Sequence, residues 1–231
     1  MSPRRLDQRE LATVSRKLRA WFKRHHRKLP WRETRDPYRI LVSELMLQQT
    51  QVARVIDFYG AFLERFPTLE VLAGARAAQV REAWHGLGYY ARARNLHALA
   101  KQVSRERDGA LPSDPAELRT LPGIGPYTAG AVATFAFERP AALVDTNVAR
   151  VLLRLFAPRT SPKSARGQRR AWEIAEAALP SRGATAWTHN QALMELGALV
   201  CTARVRHCAR CPLRAHCATY AADRARASAA A

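Results

Sequence analysis

The first 200 residues of this 231-residue chain contain no cysteine. That excludes a disulfide framework, which would spread cysteines along a small secreted chain. Lysine is nearly as scarce, with Lys17, Lys23, Lys28, Lys101 and Lys163 the only five. One span, Thr120 to Phe137, is free of charge for almost the length of a membrane helix. It holds Pro122, Pro126, Gly123, Gly125 and Gly130, and its first half reads as a turn, so no membrane partner is expected. The opening MSPRRLDQRE has no apolar centre, so no signal peptide is expected there, and a cytoplasmic, nucleoid-associated location is the expectation. No alternating stretch bounded by turns reads as a strand, and no internal repeat is present.

What the chain has instead is arginine. The formal net charge is +19 and the pI near 11.1, which points to a polyanionic partner, most simply nucleic acid. Arginine excess can also follow from the base composition of a genome, so charge alone does not identify that partner. A hydrophobic content of 48% makes the chain globular, as one large domain or two intertwined lobes. Apolar residues recur at helical spacing over Leu11–His26 and Tyr38–Phe66, the latter as one long helix or two in succession. Shorter helices fit Leu69–Ala73, Ala77–Trp84, a stretch running to about Arg107, Thr128–Phe137, Asn147–Phe156, Gly167–Leu179 and Trp187–Val200. Thr68 and Asp114 are placed to cap helices. The Arg/Ala-rich tail, residues 221–231, is expected to be disordered.

Four motifs carry chemistry. Cys201, Cys208, Cys211 and Cys217 form a C-x6-C-x2-C-x5-C array near the end of the chain. Four thiols this close predict a metal centre, and the spacing leaves zinc and iron–sulfur both open. In LPGIGPYTAGAV, Leu121 to Val132, Gly123 and Gly125 lie in a hairpin before a helix rich in small residues. Backbone N–H groups there can hold a phosphate without reading sequence. In PAALVDTNVARVL, Asp145 precedes a helix; an N-cap is the ordinary reading, and capping is compatible with catalysis because it holds the carboxylate rigidly. In SELMLQQTQV, Glu44 shares a helical face with Ile40, Leu41, Leu47 and Gln48. Burial there would raise its pKa and make it a general acid, whereas pairing with one of the many arginines would make it structural.

Together with LPWR, DPY, GLGYYARARN and NQALMELGALVC, these motifs resemble the helix-hairpin-helix/Gly-Pro-Asp superfamily of DNA glycosylases, most closely the MutY-type adenine glycosylases. The similarity runs from Leu29 to Cys217. It implies an all-α, two-lobed fold. One lobe, residues 29–135, would be a six-helix barrel carrying the hairpin. The other, residues 1–28 and 136–220, would join the N-terminal helix to the C-terminal helices and an iron–sulfur centre, with DNA across the cleft between the lobes. For the cysteines it implies a 4Fe–4S cluster with a structural or DNA-sensing role. Glu44 then matches the acid that protonates the leaving adenine and helps activate water, and Asp145 the carboxylate that stabilises the oxocarbenium-like sugar. Gln49 and Tyr89 match residues inserted into the duplex where the nucleotide flips out. Tyr127 matches a pocket residue near Asp145, Gln191 one contacting the adenine edge, and Trp31 and Arg32 pocket-lining positions.

Related bifunctional lyases hold a Schiff-base lysine where this chain has Tyr127, so the resemblance implies a monofunctional glycosylase. The implied substrate is double-stranded DNA with adenine opposite 8-oxoguanine or guanine, and the protein is expected to act as a monomer. MutY-type enzymes usually add a Nudix-like domain that reads the oxidised guanine, and the chain is expected to lack it. Thr146 also stands where the adenine enzymes commonly have glycine. A sister group without a further domain removes thymine or uracil opposite guanine, which is the alternative substrate. A non-catalytic iron–sulfur DNA-binding protein is a more remote alternative, disfavoured because both acids are present.

Overall fold

The computed structural model describes residues 6–229. Among them every regular element is a helix, and the one β-bridge, Cys201 with Arg206, is isolated. No described helix is long and apolar enough to cross a membrane. The chain divides into two compact units, Lys28–Arg139 and Met1–Arg27 with Pro140–Ala231.

The Lys28–Arg139 unit is built on α2 (Pro37–Leu47). Asp36 caps it, accepting from the Arg39 N–H at 2.9 Å, and Pro37 occupies the first turn, where a missing N–H costs nothing. Residues Tyr38 and Ile40 to Met46 are all buried, so α2 is covered on most sides rather than along one stripe. Its neighbours are α3 (Val52–Arg65), α6 (Ala91–Glu106) and α8 (Pro126–Phe137). Buried small residues of α8, Ala129, Gly130, Ala131 and Ala133, allow close approach to α2. α4 (Leu69–Gly74) and α5 (Ala77–Ala83) pack on α6, and α7 (Pro115–Leu118) packs on α8. The Trp84 ring is fully buried, with Phe62 edge-on at 5.6 Å.

The Tyr38–Phe66 periodicity resolves into two helices. Gln49 between them has φ 56°, a left-handed backbone that stops α2 and restarts the chain as α3. At the other end of the unit α8 continues through Phe137. Glu138 takes a left-handed cap (φ 50°), so the division falls at Pro140 rather than at residue 136.

The second unit packs α1 (Gln8–His25) against α10 (Ala165–Ala178) and α11 (Gly183–Leu199). Asp7 caps α1, and Lys23, Arg24 and His25 occupy its last turn, where cations suit the helix dipole. α9 (Thr146–Phe156) lies against α10, α11 and α12 (Ala218–Ala229). Gly197 of α11 is required by this packing, since a Cβ there would come within 2.7 Å of Asn147. The tail expected to be disordered is helical from Ala218 to Ala229, and residues 230–231 lie outside the described residues. Alanine and arginine are strong helix formers, and Asp223 pairs with Arg206 at 2.6 Å.

Candidate functional site

Glu44 sits on α2 with only 3% of its surface exposed. The Tyr127 hydroxyl, from the first turn of α8, donates to Glu44 Oε2 at 2.8 Å. The α2–α8 packing thus brings together two residues 83 positions apart. Gln48, one turn beyond Glu44, directs its amide toward the Thr128 hydroxyl at 3.4 Å.

Gln49 and Tyr89 are both exposed and both left-handed, with φ 56° and 47°. For non-glycine residues that conformation needs support from its surroundings. Arg92 supplies it. Its guanidinium is buried, and one nitrogen donates to the carbonyls of Leu45, Met46 and Gln48 at 2.8, 2.6 and 2.6 Å. The other terminal nitrogen reaches the Thr50 hydroxyl and the carbonyls of Leu87 and Gly88 at 3.2, 3.2 and 3.0 Å. The guanidinium also lies 5.5 Å from the ring centres of both Trp84 and Tyr89. Arg92 therefore ties the end of α2 to the Gly86–Tyr89 loop. Sequence reading passed it over, because one arginine among so many carries no mark of burial.

In the hairpin, Gly123 has φ 77°, and a Cβ there would stand 2.7 Å from Asn95, so glycine is required. Gly125 differs from the expectation: its φ of −88° is ordinary and the space around it is open. It serves as the N-cap position of α8, ahead of Pro126. Trp31 lies in a short 3-10 turn, Pro30–Arg32, that packs on α2. Its ring is buried edge-on against Tyr59 at 5.5 Å, a core contact, and Arg32 beside it is partly exposed.

Asp145, in the other unit, is the N-cap of α9, accepting from the Val148 N–H at 2.6 Å and the Asn147 amide at 3.1 Å. Burial pushes its carboxyl above the ordinary value; the Val148 N–H, Asn147 and the Arg150 charge act in the opposite sense. Gln191 is buried on α11, and four residues on, Glu195 is wholly buried on the same face. Glu195 accepts from the Arg27 backbone N–H at 2.8 Å and from its guanidinium at 2.9 and 2.7 Å. This pair was also missed by sequence reading, though an acid four residues from a candidate pocket residue was a usable signal.

The four cysteines, all free, line one cavity with Val151, Leu155, Leu196 and Val200. Arg154 of α9 donates to the Cys201 sulfur at 3.3 Å and to the Thr202 carbonyl at 2.7 Å. Burial pushes the Cys211 thiol up to about 11 and raises Cys217 as well. Among the described residues no group of three His, Cys, Asp or Glu side chains is arranged to hold a single ion.

The family described as "HhH-GPD superfamily base excision DNA repair protein" matches residues 42–177. The chain is 40% identical over 224 residues to an adenine DNA glycosylase of Rattus norvegicus, covering 93% of this chain and 43% of that protein. It is 46% identical over 202 residues to an adenine DNA glycosylase of Mycolicibacterium smegmatis, covering 87% and 67%. The chain spans less than half the length of the rat relative it matches. Among solved structures it superposes on a thermostable thymine-DNA glycosylase with a TM-score of 0.84 at 28% identity, covering 93% and 98% of the two chains. It also superposes on endonuclease III in a non-covalent DNA complex, with a TM-score of 0.77 at 25% identity, covering 96% and 100%.

Proposed function

The chain belongs to the HhH-GPD superfamily of base excision DNA repair proteins, and on that premise we propose that it is a monofunctional adenine DNA glycosylase. It flips adenine mispaired with 8-oxoguanine or guanine out of duplex DNA and hydrolyses the N-glycosidic bond. The observation that carries this reading is the buried Glu44 carboxyl held by the Tyr127 hydroxyl. A carboxyl so placed is restrained in orientation and shielded from water, as a general acid for a leaving base requires. Where a lyase would offer an amine to the sugar, this chain offers a phenol hydrogen-bonded to the acid.

Glu44 protonates the departing adenine, Asp145 opposes the positive charge that develops on the sugar, and water completes hydrolysis. Gln49 and Tyr89, with left-handed backbones braced by Arg92, enter the duplex where the nucleotide leaves the stack. Gln191 reads the adenine edge, and Trp31 and Arg32 line the base pocket. Gly123 and Gly125 bring backbone N–H groups at the start of α8 to a DNA phosphate.

Cys201, Cys208, Cys211 and Cys217 would hold a 4Fe–4S cluster. Four thiols around one apolar cavity, with an arginine N–H on one sulfur, fit such a group. When bound, the cluster supplies a rigid, charge-bearing centre to its loop and takes no part in hydrolysis.

Single-turnover excision on duplexes bearing A opposite 8-oxoguanine, A·G, T·G and U·G tests the reading. Adenine release is expected from the first two. The likeness to the thymine-DNA glycosylase favours a second reading, removal of thymine or uracil opposite guanine. Activity on T·G or U·G alone would select it, and the 40–46% identity to adenine enzymes argues against it.

A further inference from the structure

In the unit containing α9, α10 and α12, a groove of about 820 Å³ is lined by the chain just beyond α9, by α10 and by α12. Arg166 and Arg169 of α10 and Arg226 of α12 line it. All three are exposed, and none has a hydrogen-bond acceptor or ion-pair partner among the described residues. The groove's carboxylates are already engaged: Glu173 pairs with Arg170 at 2.8 Å and Asp223 with Arg206 at 2.6 Å. None of these residues belongs to the candidate excision site.

The cations stand where they oppose folding. Arg166 and Arg169 crowd the opening turns of α10 at a spacing of three, where like charges repel. The first turn holds no acid, and positive charge at a helix start opposes the dipole. The backbone that presents them is rigid. Ser164 Oγ accepts from the Gly167 N–H at 3.0 Å and donates to the Ser161 carbonyl at 2.9 Å. A Cβ on Gly167 would stand 1.8 Å from that carbonyl, so only glycine permits the approach. A bound anion would relieve the crowding. The lining offers no exposed aromatic ring to stack a base and no amide to read one; its one aromatic, Phe156, is 2% exposed. The anion it suits is therefore a run of phosphates recognised without regard to sequence.

We propose that this groove is a second, sequence-independent contact to the phosphate backbone of DNA, separate from the residues that excise the base. The proposal rests on the reading of the chain as a DNA-binding glycosylase. Its test is the triple substitution Arg166→Ala, Arg169→Ala, Arg226→Ala, compared with a charge-matched control, Arg9→Ala, Arg76→Ala, Arg105→Ala, drawn from exposed positions outside the groove. Affinity for a long lesion-free duplex is measured as a function of salt. Neutralising one phosphate fewer lowers the slope of log K against log salt by about 0.9, so the slope of the groove variant is expected to fall by about 2 to 3 and that of the control clearly less. Thermal unfolding of the groove variant is expected at or above the wild-type temperature, because repulsion on α10 is removed.

Equal slopes for the groove variant and the wild-type protein would overturn the proposal. So would loss of binding to a polyglutamate peptide with the DNA slope unchanged, since the groove would then be a protein-docking surface. Loss of tripolyphosphate binding with the DNA slope unchanged would overturn it too, and assign the groove to a free polyphosphate. Lesion-free DNA keeps the result independent of excision: a protein that removes no adenine would sink the glycosylase reading while leaving this measurement intact.

Discussion

Arg92 donates to the carbonyl oxygen of Gln48 at 2.6 Å, and the same nitrogen also serves Leu45 and Met46. A single guanidinium thus closes the end of α2, where carbonyls lack helical partners, and grips the loop that carries Tyr89. Lysine cannot reproduce the fork, because its donors sit on one atom. Arg92→Lys is expected to cost about 2–3 kcal/mol through carbonyls left unpaired, measured by urea unfolding. Base flipping, followed by a fluorescent purine at the target position, should weaken while Glu44 stays buried. Wild-type flipping in a destabilised Arg92→Lys protein would show that Arg92 only holds the fold.

Glu44→Gln keeps shape and hydrogen bonding but loses the transferable proton. Excision is expected to fall by at least about 10²-fold with duplex affinity little changed. Tyr127→Phe removes only the hydroxyl that orients the carboxyl and should slow excision by about tenfold, as one missing hydrogen bond implies. A normal rate for Glu44→Gln would mean that another group is the acid.

Asp145 is proposed to act ionised, and burial holds its pKa above the ordinary 3.8. Excision should therefore fail on acidification sooner than an exposed aspartate would allow. The Asn147 amide favours the ionised form, so Asn147→Ala raises the pKa further and moves the acid limb to higher pH. The measurement is the single-turnover rate between mildly acidic and neutral pH. An acid limb that stays in place or moves down would exclude Asp145 as the titrating group.

The cluster proposed at Cys201, Cys208, Cys211 and Cys217 predicts iron rather than zinc. Purified protein should be brown, with a broad visible band and about four irons per chain by metal analysis. Cys208→Ser should lower both iron content and unfolding temperature, since a bound group stabilises the fold that holds it. Stoichiometric zinc with no visible band would refute the cluster.

Helical periodicity and caps were readable along the chain. Thr68 and Asp114 act through side chains within a few residues of the backbone groups they satisfy, so local sequence suffices. The anomaly of Glu44 on an apolar face was equally visible, and the structure buries it. The tail was misread because its composition resembles a disordered end, while its helix-forming residues and the Arg206–Asp223 pair act the other way. The break at Gln49 was half-readable: a polar interruption showed, but not which residue would turn left-handed, because the support comes from Arg92.

The sequence by itself determined the helices, the acidic residues and the cysteine array, because propensity, capping and spacing are local properties. Tertiary structure decided which charged groups are paired. Tyr127 reaches Glu44 across 83 positions, and Glu195 reaches Arg27 across 168. Arg92 is buried where Arg166, Arg169 and Arg226 stay in solvent. An arginine in the sequence is only a charge; its surroundings decide whether it braces a loop, neutralises an acid or waits for an anion, since burial sets what leaving it unpaired would cost.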